Sequence, residues 1–222
     1  MDKFPFTSYD FWAYLASGFL VLGAADLTAG TQFMEQKDWT WAQTAIAVTA
    51  AYIVGQLVAS MSSTLYERGL VGKVLGYPRH ILFGDTKMAK PVRMLLAGYY
   101  TPLPDLTRQA VIDKGKAVGI HTPGEALFWP AFNVCKTQSS VMSRLENFLN
   151  QYGFARNISL VGLVNGAMLG WSYNFNGGPP LHGNIAWLAL VASIGMTLRY
   201  LKFYRLYANE VFTTYAYAKE TK

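Results

Sequence analysis

One cysteine, Cys135, stands in a chain of 222 residues. That excludes an intrachain disulfide and the zinc sites built from several thiolates, and the thiol reads as a buried, inert one. Histidine is scarce as well. His80, His121 and His182 lie far apart with no ligand partner at metal spacing, so each reads as a loop or interface residue. Charge is thin, because only 14% of residues are Asp, Glu, Lys or Arg, against roughly a quarter in soluble domains. No phosphate-binding glycine loop, Gly-x-Ser-x-Gly elbow, His-Glu-x-x-His helix or CxxC pair occurs. The expectation is a protein that is not an enzyme and holds no cofactor. Sustained apolar–polar alternation is missing too, which removes the case for a β-sheet.

What the chain has instead is apolar length, with 52% hydrophobic residues. Four stretches are poor in charge: Phe11 to Gly30, Trp41 to Ser63, Asn157 to Phe175 and Ile185 to Leu198. Crossing a hydrocarbon core takes about 20 such residues. The first two stretches meet that length, and the last is short unless it runs on through Tyr200 and Leu201. The first does not read as a cleaved signal, since Asp2 and Asp10 offset Lys3 and a second stretch follows closely. The pattern predicts a mainly α polytopic membrane protein with about four transmembrane helices and a small, mostly helical cytosolic domain. Its parts are a helix pair over 1–63, a basic domain over 64–156, a second pair over 157–198 and a tail over 199–222.

Charge sets the expected orientation. Segment 64–156 carries twelve Lys and Arg against six Asp and Glu, and the tail five against two. Loop 31–40 is net negative and loop 175–184 holds no cation at all. With Lys3, 18 of the 19 basic residues fall on one side, and cation bias marks the cytoplasmic side. Both termini and the middle segment are then expected on the cytoplasmic side, with two short connectors outside.

Within the middle segment, Ser62 to Leu75 reads as a continuation of the second helix, stopped by Gly76-Tyr77-Pro78. Tyr99 to Pro104 reads as loop, Leu106 to Val118 as a short helix and Gln138 to Phe154 as an amphipathic helix. A domain this small has a marginal core. Leu82, Phe83, Phe128, Trp129 and Phe132 are therefore expected to pack against copies of the chain or a membrane surface.

The spans carry patterned faces. Gly162, Gly166 and Gly170 make a doubled small-xxx-small stripe, which lets helices approach closely. In the second span Ala51, Gly55 and Ala59 form a small-residue face, while Thr49, Gln56 and Ser60, flanked by Tyr52 and Ser63, form a polar one. Polar groups in hydrocarbon must face protein or water. Thr49, Gln56 and Ser60 are thus candidates for a pore lining made by copies of this helix, or for interhelical hydrogen bonds inside one protomer. Asp26, the one acid within a span, is either a ring at a cation pathway or an interfacial group that is solvated or paired with Lys37. Asn165 is the most polar group of the third span.

Cations and aromatics coincide in Lys73 to Tyr100, around Arg144, Tyr152 and Arg156, and in Arg199-Tyr200-Leu201-Lys202-Phe203-Tyr204-Arg205-Leu206-Tyr207. One reading is attraction to anionic lipid with an interfacial aromatic belt. The other is an anionic ligand, since cations beside stacking rings suit nucleotides and single-stranded nucleic acid. On that reading Arg79, Lys87, Lys90, Arg93, Arg144 and Arg156 hold phosphates, and Tyr77, Tyr99 and Tyr100 are stacking platforms.

Three features together resemble the channel-forming membrane effector of Hailong-type bacterial anti-phage defence: Gln56 and Ser60 in the second span, Arg144-Leu145-Glu146 with Tyr152-Gly153-Phe154-Ala155-Arg156-Asn157, and the tail Arg199 to Tyr204. The resemblance covers the whole chain as architecture. It implies a homo-oligomer, a tetramer in that family, whose channel is held in check by single-stranded DNA oligomers made by a nucleotidyltransferase partner. The expected function is a homo-oligomeric inner-membrane channel gated by an oligonucleotide or nucleotide, with membrane lipid as its surroundings. The alternative is a non-conducting membrane scaffold that docks a soluble partner. A lipid-modifying enzyme would need a catalytic pair, for which Asp26 with His182 or Lys37 is the only candidate.

Overall fold

The computed structural model describes residues 8–34, 36–86 and 88–218, with side-chain surroundings from residue 13 onward. Helix dominates the described residues, and no strand occurs among them. The helices are α1 (Ser8–Ala29), α2 (Trp41–Ser62), α3 (Pro78–Ile81), α4 (Lys90–Leu95), α5 (Ala97–Tyr100), α6 (Asp105–Ala117), α7 (Glu125–Lys136), α8 (Ser139–Phe175) and α9 (Pro180–Tyr217). Between α2 and α3 the backbone runs on as a π-wound stretch, Ser63–Leu75. Two helices are long and apolar enough to cross a membrane, Trp41–Ile81 and Pro180–Tyr217, and Ala13–Ala29 is a shorter apolar helix.

The chain folds as two compact units: Met1–Tyr66 with Gly153–Arg199, and Glu67–Tyr152 with Tyr200–Lys222. The first unit is built on close helix approach. A Cβ on Gly18 would lie 1.7 Å from the Ala51 carbonyl oxygen, and one on Gly55 would lie 2.0 Å from that of Tyr14. Only glycine lets α1 and α2 touch backbone to backbone at these two points. Thr40 starts α2 with a capping box, its Oγ1 accepting from the Gln43 amide while Gln43 Oε1 accepts from the Thr40 amide at 2.8 Å. Gly162 admits α9 in the same way, facing the Ala189 carbonyl oxygen at 2.6 Å, while Gly166 makes room for the Leu190 side chain at 2.7 Å. Gly170 contributes less, since the nearest atom to its Cβ position is Ala186 Cβ at 3.9 Å.

Hydroxyls then bind the helices of this unit. Ser159 Oγ donates to the Ser193 carbonyl at 2.9 Å, and Ser193 Oγ donates back to the Ser159 carbonyl at 2.7 Å. Tyr66 and Thr197 also meet Ser159 Oγ. Ser62 donates to Asn157 Oδ1 at 2.6 Å and accepts from Arg156 Nε at 3.1 Å. Asn165 Nδ2 donates to the Leu20 carbonyl.

The second unit has a core of Leu82, Leu103, Val111, Leu127, Phe128, Ala131, Cys135, Val141 and Leu145, closed by Ala208, Val211, Phe212, Tyr215 and Ala216. This corrects the expectation of an incomplete core. Leu82 and Phe128 are buried, and Phe83 and Phe132 pack partly buried against them, because the carboxyl-terminal turns of α9 supply the missing apolar face. Of the five side chains expected to seek an outside partner, Trp129 alone is exposed, at 56%.

Candidate functional sites

Two sites stand out, one in each unit. In α2 the buried residues are Ala47, Ala51, Gly55, Val58 and Ser62. At about 100° per residue, Thr49, Gln56 and Ser60 cluster on a line roughly 160° away from that set. All three are exposed in the protomer. Thr49 Oγ1 bonds only back into its own helix, to the Ala45 carbonyl, and Gln56 Nε2 donates to Tyr52 Oη at 3.1 Å, also on α2. The Tyr52 ring meets Tyr14 edge-on, with centroids 6.0 Å apart. The unit buries and pairs Ser62, Asn157, Ser159 and Ser193, yet turns this stripe outward beside exposed Ile46, Ile53 and Leu57.

The second site is a cavity of about 180 Å³ in the other unit, lined by Pro78, Arg79, Phe128, Trp129, Tyr152, Tyr204, Tyr207 and Ala208. The Arg79 guanidinium lies 4.5 Å from the Tyr77 ring centroid and 5.9 Å from that of Phe128, a cation over two aromatic faces. Its Nε is 2.5 Å from Glu125 Oε2. Tyr152 meets Tyr204 and Tyr207 with centroids 5.1 and 6.1 Å apart. Glu125 also accepts from Trp129 Nε1 at 3.2 Å, so one cation, one acid and a ring-lined wall meet at this cavity.

The other cations and rings read from the sequence are dispersed. Lys87 lies outside the described residues. Lys90 and Arg93 are exposed on α4. Arg144 grips Glu210 through Nε and Nη2, at 2.9 and 2.7 Å from one carboxylate oxygen, so its charge is matched within the unit. Arg156 belongs to the first unit, at Ser62. Tyr99 and Tyr100 are buried, edge to face at 5.3 Å, and their hydroxyls donate to the Gly76 and Leu75 carbonyls at 2.7 and 2.9 Å. They satisfy carbonyls that the end of the π-wound stretch leaves open. Burial pushes both phenols above their ordinary range. Of the platforms named from sequence, only Tyr77 lies beside a cation of the cavity.

The sequence pattern marks neither Phe128 nor Trp129 as a site residue, and it puts Tyr152 in one segment and Tyr204 and Tyr207 in another. Tyr200, Tyr204 and Tyr207 do recur at helical spacing, which was the available signal. Asp26 accepts from Thr31 Oγ1 and from the amides of Phe33 and Met34 at 2.9 and 3.0 Å, so its carboxylate folds the turn after α1. His182 Nδ1 meets Ser172 Oγ at 3.0 Å, buried. Asp26 and His182 are each engaged locally, and no group of three or more metal-ligating side chains occurs among the described residues. No protein-family model, curated protein or solved structure matches the chain.

Proposed function

We propose that the chain is a homo-oligomeric bacterial inner-membrane channel, gated by an anionic ligand held in its aromatic cavity. Its four crossings are α1, α2, residues 157–175 of α8 and residues 185–198 of α9, with both termini cytoplasmic. The observation that carries this reading is the outward stripe of Thr49, Gln56 and Ser60. In hydrocarbon such groups need protein or water opposite them, and copies of α2 around an axis supply both. The alternative, a non-conducting scaffold that docks a soluble partner, predicts no axial path and no flux.

Arg79 supports the ligand half of the reading. A phosphate-bearing planar ligand would displace Glu125 from Arg79 and stack on Trp129, Tyr152 or Tyr204. Single-stranded DNA or a nucleotide has that chemistry, as the Hailong-type resemblance implies, with a nucleotidyltransferase as its source. Binding shifts the closed and open populations only by its differential affinity for the two. The test is ion flux from proteoliposomes of purified protein, with and without single-stranded DNA. The expected outcome is flux that changes with the oligomer, and a ligand response that Arg79→Gln removes without abolishing basal conduction. An assembled protein that conducts under neither condition ends the channel reading.

A further inference from the structure

The stretch from Thr86 to Pro104 contains Lys87, Lys90 and Arg93 and no acid. Its helix α4 contributes no residue to any core. Met94 and Leu95 on that helix are 70% and 84% exposed. Lys90, Arg93 and Met94 stand three and four positions apart, so they share one side of the helix, and both cations are exposed. Scattered apolar side chains on a surface need no explanation. Two consecutive ones on an element that buries nothing, with cations and no acid beside them, form a chemical combination. The element is also firmly moored, because Tyr99 and Tyr100, just beyond it, are buried and bonded to the Gly76 and Leu75 carbonyls.

We propose that α4 is a lipid-docking element: Met94 and Leu95 enter the interfacial layer of an anionic bilayer, while Lys90 and Arg93 hold its phosphate headgroups. Cations on one side of a short helix with apolar side chains beside them fit a headgroup–acyl boundary. A nucleic acid would use the two cations but leave Met94 and Leu95 in water, and α4 has no ring on which a base could stack. The inference rests on the chain residing in a bilayer.

The test uses the full chain in nanodiscs, with the environment-sensitive dye NBD on Leu95→Cys, and separately on Leu188→Cys, a 69% exposed position of α9. Native Cys135 is fully buried and escapes labelling. Nanodiscs of phosphatidylcholine alone are compared with nanodiscs that also contain phosphatidylglycerol. The expected result at position 95 is a blue shift and quenching by lipids spin-labelled near the headgroup, stronger with phosphatidylglycerol. Each cation removed in Lys90→Glu and Arg93→Glu should lower the docked-to-undocked ratio by about fivefold or more. Water-like emission at 95 with lipid quenching at 188 overturns the inference and leaves bilayer residence standing. Loss of quenching at both positions overturns both. A blue shift at 95 that depends on protein concentration and not on spin-labelled lipid assigns the face to a second copy. A shift driven by added single-stranded DNA assigns it to nucleic acid. Either of these last two results also overturns the inference.

Discussion

At Gly55 the missing side chain is the contact. Its Cβ position falls 2.0 Å from the Tyr14 carbonyl oxygen, a backbone atom that moves only with its helix. Overpacking of a tight site costs about 1–3 kcal/mol, and a chain of this size loses ~2–4 °C of Tm per kcal/mol. Gly55→Val should therefore lower Tm by about 2–12 °C, followed by circular dichroism in detergent. Gly23→Ala, with nothing within 4 Å of its Cβ position, should leave Tm unchanged or raise it. Equal effects at the two glycines would refute the close approach of α1 and α2. Cys135 makes a second point at this scale. Burial pushes its thiol up to about 11 from 9.0, and Tyr99 and Tyr100 are raised by the same cause. Their neutral forms are favoured in the folded state. The folded state therefore binds more protons than the unfolded one above the unfolded values. Stability is unaffected below about pH 9 and falls as pH climbs from there through the raised folded values. Chemical denaturation across that range should show a falling midpoint, together with Cys135 that resists maleimide at neutral pH until the protein unfolds. A midpoint that is flat or rises with pH would contradict this burial.

At the scale of the element, α2 has two unlike sides. Its small residues meet α1, and Thr49, Gln56 and Ser60 lie on the opposite, exposed side. The small-residue face was legible from the four-residue spacing of Ala51, Gly55 and Ala59, because spacing alone sets which side chains share a side. Which of the two faces would be covered within the protomer was not legible, since small and polar residues both suit helix contacts. Gln56→Leu separates the outcomes. The side chain is exposed in the protomer, and surface substitutions usually move stability by less than about 0.5 kcal/mol. The expected outcome is an unchanged Tm in detergent and an altered single-channel conductance. A clear loss of stability with no change in conductance would place Gln56 in a dry protein contact instead. The π-wound stretch after α2 gives a further lesson. A continuing helix with a stop at Gly76 was readable from the glycine, found at φ +89, and from Pro78. The wider winding was not, because it shows only in the folded backbone: the Gly76 amide donates to the Val71 carbonyl, five residues back, at 2.8 Å.

For the molecule as a whole, the end of the chain decides whether the second unit has a core. Val211 and Phe212 are fully buried there, beside Tyr215 and Ala216, and Lys114 Nζ donates to the Tyr215 and Ala218 carbonyls at 3.0 and 2.6 Å. A chain ending at Leu206 loses that wall. Each large buried side chain removed costs about 2–5 kcal/mol, which for several together exceeds the stability of a typical domain. The expected result is rapid proteolysis between residues 67 and 152 with residues 157–198 still protected in detergent. A truncated protein whose middle segment stays protected would refute this role of the tail.

Composition and pattern by themselves determined the helical class, the apolar stretches and the lopsided charge, because each is a property of residues near one another in sequence. The expected boundaries at 63/64, 156/157 and 198/199 come from the same local signal, and the compact units change over at 66/67, 152/153 and 199/200. Which cations meet which rings is a different kind of fact. Arg79 finds Phe128, Trp129, Tyr152 and Tyr204 across separations of 49 to 125 positions in the chain, whereas Arg144 is taken by Glu210. Only tertiary packing decides this, because burial and charge matching depend on which surfaces close over one another, and no local spacing encodes that choice.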